Sequence, residues 1–201
     1  LKGQPSVTLE ANLSIVAGEN HLSAYAFNRD NVKSVDASLD LNGASSLSRK
    51  GTAYVLAIGV NAYSNEKFNL KYAVADATLF GQEVQRQQQQ IGNYSNTEVV
   101  SLMDGQATKA TILRALRRLA GEEEGEVADE PALRNLKATE PEDAVFIYFA
   151  GHGTAYGQRF YLIPHDLGYT GERSELDAAG LQTILEHSIS DQELEQAVER
   201  L

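Results

Sequence analysis

Seven consecutive apolar residues, Ala144-Val145-Phe146-Ile147-Tyr148-Phe149-Ala150, run directly into Gly151-His152-Gly153. A run of that length, rich in β-branched and aromatic side chains, is predicted to be a strand buried on both faces of a parallel sheet. The glycines around His152 permit a sharp turn and a close backbone approach just past the carboxyl end of that strand, where open α/β sheets bind ligands. A histidine there also has a plain reading as a solvated turn residue, and three residues alone do not choose. Residues 156–159 then make a polar turn, and Phe160-Tyr161-Leu162-Ile163 gives a short strand beside the first, stopped by Pro164.

Residues 54–60 predict a second buried strand. Leu70, Ala73, Val74, Ala77, Gly81 and Val84 follow at helical spacing, with Asp76 off that stripe near the helix start. Val99, Val100, Leu102 and Met103 give a third strand, closed by Asp104-Gly105. Thr108 is the expected N-cap of a helix whose inward residues are Ile112, Leu113, Leu116, Leu119 and Ala120, with Arg114, Arg117 and Arg118 facing water. The acidic run Glu122, Glu123, Glu124, Glu126, Asp129 and Glu130 is expected to be a solvated loop; it lacks the ligand spacing and turn glycine of a calcium loop. Residues 166–187 read as a loop-rich acidic segment, and Ser190-Asp191-Gln192-Glu193 as a capping box opening a last helix. Alternating strands and helices predict an α/β fold, a three-layer α/β/α sandwich with a mainly parallel sheet.

The first 43 residues differ. Val7, Leu9, Ala11 and Leu13, then Leu22, Ala24 and Ala26, then Val35, Ala37, Leu39 and Leu41 alternate with polar residues, around turns at Gly18-Glu19-Asn20 and Asn28-Arg29-Asp30-Asn31. Three short antiparallel strands cannot close a sandwich of about seven. Residues 44–52 have linker composition and carry an exposed dibasic pair, Arg49-Lys50. The expected division is therefore 1–43, a linker at 44–52, and 53–201.

With no cysteine, the 201 residues hold no disulfide and no thiolate metal site. A net charge of −11 with scattered arginines argues against a nucleic-acid partner. No apolar run approaches the roughly 20 residues of a membrane helix.

Four ordered motifs carry a family resemblance: Tyr54-Val55-Leu56-Ala57-Ile58-Gly59-Val60, Leu70-Lys71-Tyr72-Ala73-Val74-Ala75-Asp76-Ala77, Phe149-Ala150-Gly151-His152-Gly153, and Tyr161-Leu162-Ile163-Pro164-His165-Asp166. Over roughly three quarters of its length the chain resembles the caspase-like cysteine peptidases of bacterial and metacaspase type. The resemblance implies the caspase-like sandwich and a cysteine endopeptidase. It makes His152 the acid/base partner of a thiolate and the Gly153 amide a donor to the oxyanion. Asp76 would line the pocket for the residue before the scissile bond, favouring Arg or Lys there. Ala150 stands at a pocket position where some metacaspases carry a polar residue. The nucleophilic cysteine, absent from this chain, is expected in the remaining part of the peptidase domain, beyond Leu201.

The implied partners are thus a protein or peptide substrate and that remaining part. No cofactor is implied, and Arg159, where a carboxylate would serve a calcium site, argues against a dedicated calcium ion. The first residues look like the last three strands of an immunoglobulin-like domain; a free-standing β-meander is the other reading. Asp76 also has a plain reading, as a solvated helix residue. A catalytically inactive caspase-fold scaffold is the competing function, while a serine hydrolase would require a Gly-x-Ser-x-Gly elbow that is absent.

Overall fold

The structure is a computed structural model that describes residues 8–123, 125 and 130–201. It divides into two compact units: Leu1–Arg49 with Glu140–Glu142, and Lys50–Thr139 with Asp143–Leu201. The division falls inside the expected linker, where Ser45–Leu47 forms one 3-10 turn. Arg49 pairs with Glu142 at 2.9 Å, and the Lys50 ammonium donates to the Gly92 carbonyl at 2.7 Å.

In the smaller unit, β1 (Gly18–Ala24) and β2 (Ala37–Gly43) pair antiparallel from Gly18↔Gly43 to Ala24↔Ala37. Opposed residues share a face, so Leu22, Leu39 and Leu41 lie on one side and the hydrogen-bonded His21 and Asp40 side chains on the other. The expected turn at Asn28-Arg29-Asp30-Asn31 is present: the Asn28 side-chain oxygen accepts from the Asp30 and Val32 amides, both at 2.9 Å. Two expectations fail. Gly18-Glu19-Asn20 belongs to β1 rather than to a turn, and residues 8–15 form no strand; Val7 lies outside the described residues. Alternation without a paired ladder does not make a strand.

In the larger unit, β3 (Thr52–Gly59), β4 (Asn96–Met103) and β5 (Ala144–Ala150) form a parallel sheet in the order β4-β3-β5. Central β3 is the strand buried on both faces. β5 was expected in that role, but it is an edge strand among the described residues and is half-buried throughout. The apolar run therefore reports a strand without reporting its place in the sheet. The fold is mixed α/β.

The two faces of β3 carry different side chains. Ala57 and Gly59 admit α1 (Ala73–Ile91) closely: a Cβ on Gly59 would lie 2.8 Å from the Ala73 carbonyl oxygen, and one on Gly81 would lie 3.6 Å from the Ala57 Cβ. On the same side Phe80 stacks on Tyr148 of β5, with ring centroids 4.4 Å apart. Tyr54, Leu56 and Ile58 face the main cluster, with Ile112, Leu116 and Leu119 of α2 (Lys109–Leu119). Thr108 caps α2 as expected, accepting from the Thr111 amide.

Expectations for the acidic segment are corrected in part. Arg118 is 7% exposed, not solvated, and donates to the Gly125 and Leu136 carbonyls. Glu123 pairs with Arg114 at 2.6 Å, and Glu130 accepts from the Thr111 hydroxyl. Leu133 and Leu136 are buried. Glu124, Glu126 and Asp129 lie outside the described residues.

Beyond β5 the chain builds a second, antiparallel sheet. β6 (His152–Tyr156) pairs with β7 (Arg159–Ile163), and β7 with β8 (Ile189–Ser190). The strand before Pro164 thus lies beside β6, not beside β5. The segment expected as loop contains α3 (Ala178–His187), capped by Asp177, whose carboxylate accepts from the Gly180 amide at 2.8 Å. α4 (Asp191–Val198) opens on the expected capping box of Ser190 and Glu193. No helix of the described residues is long and apolar enough to cross a membrane.

Candidate functional site around His152

In register, Gly59 pairs with Met103 on one side and Ala150 on the other, so all three parallel strands end at one edge. The chain after β3 is tied down there. Asp104, just past β4 and in the left-handed region at φ 48°, accepts the Asn61 and Ala62 amides on one carboxylate oxygen, both at 2.7 Å. The Asn61 side chain accepts from the Val74 amide at the start of α1, and Asn69 accepts from the Tyr63 amide at 2.8 Å. These bonds tie down the loop from which Tyr63 and Phe68 contact His152.

His152 donates its backbone N–H to the Tyr63 hydroxyl oxygen at 2.7 Å, and its Nε2 lies 2.8 Å from the Phe68 carbonyl oxygen. A carbonyl only accepts, so Nε2 carries a proton and, in the neutral ring, Nδ1 holds the free lone pair. Tyr63 packs against the imidazole with centroids 5.0 Å apart, and Phe68 meets it edge-on at 6.3 Å. Burial pushes the Tyr63 phenol up to about 12; the hydrogen bond from His152 opposes this and the Asp104 charge adds to it. The phenol is therefore neutral at ordinary pH.

Both flanking glycines have internal reasons. A Cβ on Gly151 would lie 2.9 Å from the Tyr63 hydroxyl oxygen and from the Phe149 ring, and one on Gly153 would lie 2.8 Å from the Phe160 ring. Close approach of a substrate is thus not required to explain either.

A second loop is strapped over the Phe68 side. Asn65 donates to the Tyr169 and Gly171 carbonyls, Lys67 pairs with Glu172 at 2.5 Å, and the Arg173 guanidinium sits 5.6 Å above the Phe68 ring. Beside it opens a cleft of about 580 Å³ lined by Ser64, Asn65, Glu66, Lys67 and Thr170.

No family model matches this chain, and no characterised protein matches it in sequence. It is similar to the crystal structure of protein GSU0716 from Geobacter sulfurreducens, with 17% identity and a TM-score of 0.44 over 75% of this chain and 45% of that one. The chain therefore spans less than half of that protein, and a likeness of this size carries no inference about it.

Asp76 is exposed in the first turn of α1, and its carboxylate has no hydrogen-bond or ion-pair partner among the described residues. Ala150 ends β5 opposite Gly59, on the side of the sheet covered by α1, and its carbonyl accepts from the Val60 amide. Asp76 and Ala150 thus share a side of the sheet at the edge beyond which His152 and Gly153 open β6. The other histidines are placed differently: His165 Nδ1 lies 2.6 Å from the Ala62 carbonyl, His187 packs against Gly168, and His21 is in the smaller unit. Among the described residues no group of three or more His, Asp or Glu side chains is disposed to hold a metal ion.

Tyr63, Phe68 and Asp104 escape sequence reasoning. The first two sit in a loop without periodicity, and Asp104 reads as a turn residue.

Proposed function

We propose that this chain is the histidine-bearing part of a caspase-like cysteine endopeptidase that cleaves after Arg or Lys. One observation carries the reading: the proton of His152 is committed to Nε2 by the Phe68 carbonyl, leaving Nδ1 free as a base at the carboxyl edge of a parallel sheet. The four-motif resemblance supports it. So does the outer edge of β5, which among the described residues has no strand beside it and offers a place for the strand that would complete a caspase-like sandwich.

In this reading a cysteine from outside the 201 residues gives its thiol proton to Nδ1. The thiolate then attacks the scissile carbonyl carbon, and the oxyanion accepts from the Gly153 amide. The imidazolium returns the proton to the leaving amine as the C–N bond breaks. Asp76, an unpaired carboxylate, supplies the charge that selects a basic side chain, with arginine favoured for its planar fork.

The test uses protein extended past Leu201 and peptides with Arg, Lys or Asp before the cut. His152→Ala should lower turnover by several orders of magnitude with an unchanged melting temperature, and Asp76→Ala should erase the preference for Arg and Lys. Near-normal turnover in the first variant, or efficient cleavage after Asp, overturns the proposal. The complete lack of cysteine in this chain favours a second reading, an inactive scaffold of the same fold. An extended protein with no cysteine at the end of the next strand would decide for that one.

A further inference from the structure

We infer that Tyr63 is a positioning residue for His152: its hydroxyl and ring hold the imidazole in the one orientation that keeps the proton on Nε2 and the lone pair on Nδ1. The catalytic consequence rests on the reading of His152 as a base, but the orientation itself does not.

Tyr63 is 3% exposed and has little room to move. Its amide is fixed by Asn69, and the Asp104 carboxylate fixes the two residues before it. The hydroxyl oxygen receives the His152 N–H at 2.7 Å, while the hydroxyl proton points to the Ile163 carbonyl at 3.4 Å. His152 and Ile163 are paired across β6 and β7, so one phenol ties both strands of the hairpin at the residue that carries the imidazole. The neutral phenol can accept and donate at once; a phenylalanine can do neither. With the backbone pinned and the Tyr63 ring against one side, the imidazole reaches the Phe68 carbonyl through Nε2. A ring flip would put a C–H at that carbonyl and aim the proton-bearing nitrogen elsewhere.

The glycine before His152 is part of the same device. A Cβ at Gly151 would lie 2.9 Å from the hydroxyl oxygen and equally close to the Phe149 ring, so its absence leaves the room in which Tyr63 seats.

Nitrogen NMR of His152 in the 201-residue chain, at a pH where the ring is neutral, reads this orientation without any activity. The unaltered chain should show Nε2 protonated and Nδ1 bare. Tyr63→Phe should show exchange between the two tautomers, and Gly151→Ala, which displaces the hydroxyl from the other side, should reproduce it. A single Nε2-protonated form in both variants overturns the inference; if Tyr63→Phe fails to fold, Gly151→Ala decides alone. In the extended protein, Tyr63→Phe should lower kcat at least about tenfold with KM nearly unchanged, the signature of a misaimed base. Absence of all turnover in the unaltered extended protein would sink the proposed peptidase while leaving the NMR result on Tyr63 standing. An unchanged kcat in Tyr63→Phe would overturn the catalytic role of the residue.

Discussion

The β1–β2 ribbon alternates apolar and polar residues while β3 is apolar almost throughout, and Leu39 is 55% exposed while Leu56 is 1% exposed. The difference lies in what covers them. β3 has a strand on each side, small residues that let α1 approach one face, and the α2 cluster against the other. The ribbon pairs Leu22 with Leu39 on one face, and among the described residues that face is covered only in part: Leu22 is half-buried and Leu39 stays exposed. Alternation thus chooses which residues share a side, and only a second packed layer converts that choice into burial. A lone two-stranded ribbon is marginal in water for the same reason.

The sharpest break in the comparison should come from α2. Leu116 is fully buried, and Leu116→Ala is expected to cost about 2–5 kcal/mol, read as a lower denaturant midpoint with an unchanged slope. A loss below about 1 kcal/mol would mean that the cluster repacks freely and is not the rigid half of the comparison. Next comes the opposite face. Gly59→Ala would drive a methyl to 2.8 Å from the Ala73 carbonyl oxygen and 2.9 Å from the Val74 Cα, both backbone, so a loss of about 1–3 kcal/mol is expected. A neutral result would show that α1 can slide off β3.

Asp104→Ala tests the edge that carries the site. It removes the acceptor of two amides and leaves a residue that tolerates φ 48° poorly, for an expected loss of about 1–2 kcal/mol. Asp104→Asn keeps an acceptor and tolerates that φ, so its loss should be smaller. Equal losses in the two variants would show that the carboxylate charge, not the conformation, is what matters there.

Much of the larger unit was legible because apolar runs identify β3, β4 and β5, helical spacing identifies α1 and α2, and Thr108 and Ser190 announce two helix starts. What escaped was set by distant contacts. α3 hides behind Gly180, a poor helix former that is nevertheless needed where a Cβ would meet the Tyr169 ring at 2.6 Å. Arg118 carries no mark of burial in a helix of outward arginines; carbonyls from a separate loop make that burial tolerable. β6 exists because β7 pairs with it, although Gly-His-Gly argues for a turn. His152 itself was legible from its place after a strand. Its partners were not, since the bonds to Phe68 and Tyr63 span 84 and 89 residues of chain.

A smaller effect is expected from acid. Partial burial raises the Glu193 carboxyl, but hydrogen bonds from Lys109 and from the Ser190 cap, with the Lys109 charge, outweigh it and hold the group below the usual carboxylate range. A carboxyl lowered in the folded state adds stability above its unfolded pKa of about 4.3 and loses it as pH falls through the folded value. Melting followed from pH 5 downward should therefore fall less steeply in Glu193→Gln than in the unaltered chain. Parallel curves would remove Glu193 from the balance.

The smallest effect should come from the ribbon, and it closes the comparison from the other side. Leu39 has its apolar partner, Leu22, only across one strand pair, so Leu39→Ser gives up little burial and should change global stability by no more than about 0.5 kcal/mol. The same difference should appear without mutation in amide exchange. Hydrogen-bonded amides of β3 need global unfolding to exchange, because each neighbour strand and both covering layers must leave first. Those of β1 and β2 need only a local opening of one ladder. Exchange of the β1–β2 amides as slow as that of β3 would show that something buries the Leu22 and Leu39 face in solution, and Leu39→Ser should then cost as much as a core substitution.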